Sequence, residues 1–277
     1  MRRKYLVRDL LREITQTLTQ ANITRASREA QLLFMAFFQK DELWLISNQK
    51  SEIEVPEAFF HWVERRSKNE PFEYIVNRVS FYSEEFYIDA GALIPRPETE
   101  LLIDAVEKNV ADRDAALTFA EVGVGSGIIS IMLAKKFKNA KIIAVDISPA
   151  ALGVAQKNIE KFGLQEQIEL REGSLLEPVS EEIDYLVSNP PYIAADAVLE
   201  SNLSYEPQNA LFGGSVGDEI IKELLAEVLK RRIKFFSCEM GYDQKDKIQN
   251  YLKSKDFSSL EFYKDYSAFD RGFTVRI

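Results

Sequence analysis

The sequence predicts an α/β protein in which a helical bundle precedes a Rossmann-like, doubly wound and mostly parallel sheet. Three observations predict this fold. Apolar residues recur at helical spacing near the start of the chain, where no glycine occurs before Gly91. From residue 72 the apolar period changes to two, which is typical of strands. From Leu117 onward, short apolar runs alternate with helical patterns, as expected of parallel strands joined by helices.

The predicted N-terminal domain spans residues 1–71 and consists of helices. Leu6, Leu10, Ile14 and Leu18 stand at steps of four, so they form one apolar stripe along the first helix. The predicted helices cover residues 4–20, 26–38, 41–46 and 56–67. We interpret the many aromatic residues of these segments as the core of the bundle rather than as a surface on which bases stack.

A β-hairpin linker is predicted over residues 72–94. The short segments Tyr74–Val76, Val79–Tyr82 and Phe86–Ile88 are rich in aromatic and β-branched residues, which favours strands. The polar residues 83–85 separate the last two segments. Two such runs joined by a short polar stretch are typical of a hairpin.

The remaining residues, 95–277, are predicted to form the sheet domain. Strands are expected at 117–122, 141–146, 168–172, 183–188 and 233–239, and helices near 98–110, 127–136, 148–161, 217–231 and 243–255. Two late strands near 259–264 and 272–277 end the chain. Their closeness in sequence predicts an antiparallel hairpin at one edge of the sheet.

Composition narrows the range of functions. The 277 residues carry a net charge of −9, which argues against nucleic acid as an obligate partner. Residues 1–80 hold 13 Lys and Arg against 11 Asp and Glu, whereas residues 81–277 hold 22 against 33. Cys238 and His61 are the only residues of their types, so we expect no disulfide within the chain and no metal site. No apolar run approaches the length of a membrane span, and we expect a soluble, cytoplasmic monomer without a membrane partner.

A glycine-rich loop, Glu121-Val122-Gly123-Val124-Gly125-Ser126-Gly127, joins the first strand of the predicted sheet to the helix that follows. Glycines at alternate positions allow the backbone to bend sharply and to lie against a ligand. The dinucleotide fingerprint needs a glycine at position 128, where Ile128 stands, so a pyrophosphate ligand is disfavoured. Glu121 instead places a hydrogen-bond acceptor beside the loop, which suits a cationic ligand.

Asp146 ends the second strand of the predicted sheet. A carboxylate at that position can accept hydrogen bonds from both hydroxyls of an adenosine ribose, and Ile147 beside it can pack on the adenine. S-adenosylmethionine has a ribose and a cationic sulfonium but no phosphate. The acidic loop and Asp146 therefore favour this cofactor over a nicotinamide dinucleotide.

The segment Asn189-Pro190-Pro191-Tyr192 follows the fourth strand. Both prolines lack an N–H and restrict φ, so the chain leaves the sheet in a rigid, extended form. The turn holds the Asn189 side chain and the neighbouring carbonyl groups at the carboxyl end of a strand, where open α/β sheets bind their ligands. A strand-ending turn without chemistry is the alternative, and the cofactor loop together with Asp146 weighs against it.

These motifs resemble the HemK/PrmC family of release factor glutamine methyltransferases over nearly the whole chain. The resemblance is carried by Pro71-Phe72-Glu73-Tyr74-Ile75, Ile94-Pro95-Arg96-Pro97-Glu98-Thr99-Glu100, Glu121 through Gly127, Ser188 through Tyr192, Glu206-Pro207, Glu239, Gly241, Gln244, Asp265 and Arg271. The second segment discriminates most, because Asn-Pro-Pro-Tyr also occurs in adenine-N6 DNA methyltransferases. The sequence departs from the family at Glu121, where Asp is usual, and at Ser174-Leu175, where an Asp followed by an aromatic residue is common.

The resemblance implies a class I S-adenosylmethionine-dependent methyltransferase. Its substrate would be the side-chain amide nitrogen of the glutamine in the Gly-Gly-Gln motif of class I peptide chain release factors, and its product S-adenosylhomocysteine. The Asn189 side-chain oxygen and the Pro190 carbonyl would accept the two amide hydrogens, while Pro191 and Tyr192 would complete the substrate site. The implied cofactor-binding residues are Glu121, Gly123, Val124, Gly125, Ser126, Gly127, Asp146, Ile147, Leu175 and Asn189. The N-terminal domain would recognise the release factor.

Two alternatives stay open. An adenine-N6 methyltransferase would use Asn-Pro-Pro-Tyr in the same way, with a flipped adenine stacked on Tyr192. It predicts a positively charged channel, and the acidic balance of residues 81–277 weighs against that. The second alternative is a non-catalytic protein that binds the cofactor, against which the intact Asn189 and Tyr192 weigh.

Overall fold

The computed structural model describes residues 2–198 and 201–277, which form two compact units. The first unit contains residues 2–77 and 201–205, and the second contains residues 78–198 and 206–277. Among these described residues, none of the helices combines the length and the apolar character needed to cross a membrane.

The first unit combines helices with a two-stranded sheet. Its elements are β1 (Arg2–Leu6), α1 (Val7–Gln20), α2 (Ala26–Phe38), α3 (Glu42–Ser47), β2 (Glu52–Pro56), α4 (Glu57–Ser67), α5 (Phe72–Val76) and the 3-10 helix Ser201–Tyr205. Leu10, Ile14 and Leu18 of α1 are buried in one cluster with Phe34 and Phe59. The apolar stripe predicted for the first helix is therefore confirmed at these three positions.

The prediction that the first helix begins at residue 4 was wrong. Leu6 lies in β1, which pairs antiparallel with β2, and its partner there is Glu52. The helix begins at Val7, whose N–H donates to Ser51 O at 3.0 Å. Pairing with a strand far along the chain satisfies the backbone polar groups of β1, and a local apolar period does not reveal such a partner.

The prediction of a strand at residues 74–76 was also wrong, because residues 72–76 form the short helix α5. Its first turn closes when Ile75 N–H donates to Pro71 O at 3.2 Å, and Asn77 ends it in the left-handed conformation with φ 54°. A short apolar segment does not contain enough positions to separate a helical period from an extended one.

The hairpin is present in the residues that follow. β3 (Val79–Phe81) and β4 (Glu84–Phe86) pair antiparallel. Tyr82 and Ser83 connect them with φ of 51° and 61°. Two successive residues with positive φ are typical of the two-residue turns that match the twist of a hairpin.

The second unit also contains the sheet. Its further elements are α6 (Thr99–Asn109), β5 (Thr118–Val122), α7 (Ile128–Lys136), β6 (Lys141–Asp146), α8 (Pro149–Phe162), β7 (Ile168–Glu172), β8 (Tyr185–Ser188), β9 (Ile193–Ala194), β10 (Phe212–Gly214), α9 (Glu219–Arg231), β11 (Phe235–Glu239), α10 (Lys245–Leu252), β12 (Ser259–Lys264) and β13 (Asp270–Arg276). Every strand and helix predicted for residues 95–277 is present, and the ends differ from the prediction by at most three residues. The short pair β9 and β10 was not predicted.

The seven strands of the main sheet lie in the order β12-β13-β11-β8-β5-β6-β7. The strands from β11 to β7 are parallel, whereas β13 is antiparallel to both β11 and β12. The predicted mostly parallel sheet with an antiparallel edge hairpin is therefore confirmed. The chain adds β6 on one side of β5 and later adds β8 on the other, and such a reversal opens a ligand crevice beyond the carboxyl ends of these strands.

Helices cover both faces of the sheet. Leu102 of α6, Ile131 of α7 and Ile159 of α8 belong to one buried cluster. Leu224 of α9 and Ile248 of α10 belong to a second. Because both faces are buried, the central strands β5, β6, β8 and β11 carry mostly apolar side chains. The edge strand β7 instead alternates Ile168 and Leu170 with charged residues.

Candidate active site

A cavity of about 300 Å³ opens at the carboxyl ends of the central strands. Its wall includes residues 121–126, 145–148, 173–175 and 189–191, together with Thr99 at the start of α6. The first four segments end or follow β5, β6, β7 and β8. Carboxyl ends of parallel strands meet at one edge of a sheet, so motifs far apart in the sequence share this cavity.

Most of the predicted site residues line this cavity. Those on its wall are Glu121, Gly123, Val124, Gly125, Ser126, Asp146, Ile147, Leu175, Asn189, Pro190 and Pro191. Gly127 and Tyr192 are not on the wall. Gly127 has φ 82° at the start of α7, and a Cβ there would lie 3.3 Å from Ala155 Cα, so this glycine allows the loop to turn and α7 to approach α8 closely.

The glycine loop is held against the neighbouring strand by its own backbone. The N–H groups of Gly123 and Val124 donate to Val145 O at 2.8 and 3.0 Å. Gly125 N–H donates to Asp146 Oδ2 at 2.9 Å. Gly125 itself has φ 53°, a conformation that an L side chain would strain. The loop and the acid that ends β6 are therefore one connected structure.

Asp146 is also bound on its other oxygen, because Ser148 N–H donates to Asp146 Oδ1 at 2.9 Å. Burial raises the pKa of Asp146, while the backbone N–H donors of Gly125, Ser148 and Ile147 lower it. These donors do not use all four lone pairs of the two carboxylate oxygens. Asp146 can therefore accept hydroxyl donors without leaving its anchored position, and Ile147 beside it is 63% exposed on the cavity wall.

Glu121 is the most unusual group of the cavity. Its side chain is buried, and Oε2 accepts hydrogen bonds from the N–H and the hydroxyl of Ser130. Oε1 is buried too, yet no residue in the described part of the chain donates to it. Burial raises the pKa of Glu121 to about 8, and the charge of Asp146 contributes in the same direction. An orphaned carboxylate oxygen in a cavity wall is a position for a ligand with a cationic donor.

Asn189 stands at the end of β8 with its amide in a defined orientation. Asn189 Nδ2 donates to Thr99 Oγ1 at 3.2 Å. None of the described residues donates a hydrogen bond to Asn189 Oδ1, and the residue lies on the cavity wall. An acceptor is therefore available at this wall, beside the Pro190 and Pro191 backbone that the rigid turn holds.

Tyr192 points into the protein rather than into the cavity. Its hydroxyl donates to Glu239 Oε1 at 3.2 Å, and its ring packs against the core cluster on the α9 face. Its backbone is fixed as well, since Gln244 Nε2 donates to Tyr192 O at 3.0 Å. Packing of Tyr192 against a substrate stays a prediction.

From the sequence, no role was assigned to two pairs of residues that the structure places at or beside the site, Thr99 with Glu239 and Arg96 with Glu206. Thr99 donates to Glu239 Oε2 at 2.8 Å and accepts from Asn189. Arg96 lies on the cavity wall and forms an ion pair of 2.6 Å with the buried Glu206, which also accepts from Ile94 N–H at 3.0 Å. The sequence contained one indication of a role for Glu239: it is the last residue of the strand β11, as Asp146 is of β6.

Two family models match the chain. The model described as "Methyltransferase small domain" matches residues 95–206, and the model described as "PrmC N-terminal domain" matches residues 9–76. The first match covers the glycine loop, Asp146 and the Asn-Pro-Pro-Tyr turn.

Solved structures share the fold. The catalytic domain of human METTL16, in complex with a hairpin of the MAT2A 3′ untranslated region, is 15% identical, with a TM-score of 0.59 over 79% of each chain. The N-terminal domain of human METTL16 in complex with SAH is 16% identical, with a TM-score of 0.50 over 69% of this chain and 75% of that one. At such identities the likeness concerns the fold alone.

The residues of the cavity fit S-adenosylmethionine as a cofactor. The orphaned Glu121 Oε1 offers an acceptor to a cationic group, and the lone pairs of Asp146 offer acceptors to ribose hydroxyls. Nothing in the glycine loop demands a phosphate. Within the described residues, no group of three or more His, Cys, Asp and Glu side chains is arranged to hold a metal ion.

Curated relatives extend over almost the whole chain. A release factor glutamine methyltransferase of Clostridium acetobutylicum is 31% identical over 96% of both chains. The protein of the same name from Dictyoglomus turgidum is 36% identical over 96% of both chains. A third, from Clostridium botulinum, is 34% identical over 98% of this chain and 99% of its own. Such identity over nearly the full length of both partners places the chain in the family of release factor glutamine methyltransferases.

Proposed function

We propose that this protein transfers the methyl group of S-adenosylmethionine to the side-chain amide nitrogen of the glutamine in the Gly-Gly-Gln motif of class I peptide chain release factors. The names of its relatives support release factors as the substrate class. The orientation of the Asn189 side chain supports an amide group as the substrate that receives the methyl group. Its NH₂ group is committed to Thr99, so the atom available at the cavity wall is an acceptor, suited to a substrate N–H.

A primary amide nitrogen is a poor nucleophile, because its lone pair is delocalised into the carbonyl group. Asn189 Oδ1 and the Pro190 carbonyl oxygen would each accept one of its two hydrogens, which fixes the nitrogen and increases its electron density. Two fixed acceptors can hold the nitrogen about 3–3.5 Å from a reacting carbon, the distance of a near-attack geometry. The rigid Pro-Pro turn keeps the second acceptor in place without a conformational search.

The cofactor, when bound, would supply a methyl group on a positively charged sulfur. A bond from this carbon to the amide nitrogen would form as the carbon–sulfur bond breaks, and the electron pair of the broken bond would stay on sulfur. The alkylated nitrogen is acidic and releases a proton to water, so no strong general base is required. Glu121 and Asp146 would hold the cofactor by its cationic and ribose donors, which leaves Asn189 and Pro190 to orient the substrate.

Incubation with labelled cofactor tests the proposal. We expect label on a class I release factor and none on the same factor carrying alanine in place of the Gly-Gly-Gln glutamine. Duplex DNA serves as the second substrate in a parallel reaction. Label on DNA, or label that persists on the alanine-substituted factor, would contradict the proposed substrate.

Gly213 gives a prediction about the substrate turn. A Cβ at this position would lie 2.3 Å from Pro191 O and 2.6 Å from Gly217 O, both of which are backbone atoms. The substitution Gly213→Ala must therefore shift the Pro-Pro turn, and a misplacement of about 1 Å can reduce kcat by roughly 100-fold. We expect kcat to fall by that order, with a loss of about 1–3 kcal/mol in stability from the overpacking. Steady-state kinetics and thermal unfolding measure the two effects.

Gly153→Ala is the matched control. Gly153 is an exposed position of α8, and a Cβ there would have no atom within 4 Å. Alanine is the better helix former by about 0.5–1 kcal/mol, so this variant should be slightly more stable and fully active. If Gly213→Ala behaved like Gly153→Ala, the turn would tolerate displacement and Gly213 would have no part in the site.

We also propose that the first unit recognises the release factor, while the second unit binds the cofactor and holds the reacting groups. Deletion of residues 1–77 should leave the cofactor Kd within about twofold and reduce methylation of an intact release factor by more than 100-fold, a loss of roughly 3 kcal/mol of recognition. A short Gly-Gly-Gln peptide should remain a weak substrate of the truncated protein, which shows that the second unit is folded. Undiminished methylation of the intact factor would contradict the division of roles.

A further inference from the structure

Four side chains of the second unit form a continuous hydrogen-bonded chain behind the cavity. Asn189 Nδ2 donates to Thr99 Oγ1 at 3.2 Å, and Thr99 Oγ1 donates to Glu239 Oε2 at 2.8 Å. Tyr192 donates to the other carboxylate oxygen, Glu239 Oε1, at 3.2 Å. The chain thus connects the residue that faces the substrate to a buried acid that does not line the cavity.

The donors and acceptors of this chain can be ordered in only one way when Glu239 is ionised. An ionised carboxylate accepts hydrogen bonds and donates none, and a threonine hydroxyl has a single hydrogen. The hydrogen of Thr99 goes to Glu239, so Thr99 can only accept from Asn189. The group of Asn189 that lies against Thr99 must then be its NH₂, and the oxygen Oδ1 is left for the cavity.

The shape of the pocket cannot make this choice. The oxygen and the nitrogen of a side-chain amide are nearly the same size, so packing fits either orientation of Asn189 about equally well. The two orientations have opposite effects on a substrate amide, because one presents an acceptor to its N–H groups and the other presents a donor. The choice must therefore come from hydrogen bonding.

We propose that Thr99 and Glu239 are positioning residues for methyl transfer, which hold the Asn189 amide so that its oxygen, and not its NH₂ group, faces the substrate. This inference rests on the proposed function. Neither residue needs to touch the reacting atoms. Thr99 donates its only hydroxyl hydrogen to Glu239, so it can only accept from Asn189. The ionised Glu239 fixes this direction, because it can accept but not donate.

The burial of both groups supports this role. Thr99 is 1% exposed and Glu239 is 2% exposed. A buried carboxylate costs stability, and at an ordinary core position an apolar side chain of similar volume would remove that cost. Burial and the nearby Glu239 raise the pKa of Tyr192 above its usual range, so its hydroxyl keeps its hydrogen. Tyr192 therefore donates to Glu239 and stabilises the ionised carboxylate.

The charge of Glu239 depends on groups from several elements. Burial raises the pKa of Glu239 to about 7, and the hydrogen bonds from Thr99 and Tyr192 act in the opposite direction. The remaining groups that face it are Glu98, which raises its pKa, Arg271 of β13, which lowers it, and the neutral Cys238 and Tyr263, whose own pKa values burial raises. Once protonated, Glu239 can donate to Thr99, Thr99 can donate to Asn189, and the amide is no longer held in one orientation.

Substitution of Thr99 tests its positioning role. Thr99→Val keeps the shape of the side chain and removes the hydroxyl, whereas Thr99→Ser keeps the hydroxyl. Loss of a hydrogen-bond connection to a charged group corresponds to about a 10- to 100-fold effect. We expect Thr99→Val to lower kcat by that amount and to leave the cofactor Kd, measured by calorimetry, within about twofold. Thr99→Ser should recover most of the loss. Equal losses in both variants, or a kcat of Thr99→Val near that of the wild type, would overturn the inference.

The pH profile of Glu239→Gln tests the acid. With cofactor held at saturation, so that titration of Glu121 does not enter through cofactor binding, kcat of the wild type should rise with pH through about 7. Glu239→Gln cannot ionise, and its profile should lose this acid limb. Persistence of the same limb in Glu239→Gln would exclude Glu239 as its source and overturn the role of the acid.

The wild-type protein separates this inference from the proposed function. If the wild type does not label the Gly-Gly-Gln glutamine of a release factor, the proposed function fails before any variant is made. If the wild type labels it while Thr99→Val and Glu239→Gln keep the wild-type kcat and pH profile, the function stands and the positioning role fails.

Discussion

Asn189→Ala is expected to reduce kcat for release factor methylation by about 10²–10³-fold, the loss typical of removing one preorganised hydrogen-bonding group from an active site. Alanine removes the oxygen that accepts a substrate hydrogen and leaves the Pro190 carbonyl as the only acceptor. The cofactor Kd should stay within about twofold, since the main cofactor groups are Glu121 and Asp146. Single-turnover kinetics and calorimetry measure the two quantities separately.

Ser188→Ala provides the control for Asn189→Ala. Ser188 is the neighbouring polar residue, but its hydroxyl donates to Val122 O at 2.7 Å inside the sheet. Removing that hydrogen bond should lower stability by about 1 kcal/mol and leave kcat nearly unchanged. If Asn189→Ala lost stability and cofactor affinity together while a single turnover kept its rate, the acceptor role of Asn189 would be refuted.

Glu121→Gln is expected to have two opposite effects, because Glu121 is a buried carboxylate with one unpaired oxygen. Above pH 8, where Glu121 is ionised, the variant lacks the charge that a cationic donor of the cofactor would meet. A charged hydrogen bond contributes about 1.5–3 kcal/mol, so the cofactor Kd should rise by roughly 10- to 100-fold. Equilibrium binding of the cofactor at constant ionic strength measures this change.

Without cofactor, Glu121→Gln should be more stable than the wild type at the upper end of the pH range. Burial raises the pKa of Glu121 to about 8 from an ordinary value of 4.5, so the folded protein holds this proton more tightly than the unfolded chain. A raised pKa contributes stability that is present at low pH and is lost as pH rises towards 8. Between pH 5 and 8.5 the loss amounts to about 4 kcal/mol for this group.

Glu121→Gln removes that dependence. The free energy of unfolding of the variant should fall less steeply between pH 5 and 8.5 and exceed that of the wild type at the upper end. Glu239, whose pKa burial raises to about 7, keeps part of the slope in both proteins. Glu166→Gln is the control substitution at an exposed carboxylate. A slope that is the same in Glu121→Gln and the wild type would show that the proton on Glu121 is not linked to folding.

The sequence by itself determined the architecture of the second unit and the membership of most of its site. Strand and helix periods are local properties, and each strand that ends in a polar residue marks the edge where a ligand binds. Glu121, Asp146 and Asn189 were identified in this way, and the parallel order of β5, β6 and β8 brings them to one cavity. Such features can be predicted because they depend on neighbours along the chain.

Only the tertiary structure decided which way the site residues point and which of them carry charge. The contacts of Thr99 with Asn189 and Glu239 join residues 90 and 140 positions apart, and the Tyr192 hydroxyl donates to Glu239 instead of lining the cavity. The strand at β1 likewise depends on a partner distant in sequence. The raised pKa of Glu121 comes from desolvation, which depends on everything packed around a group and not on its neighbours along the chain.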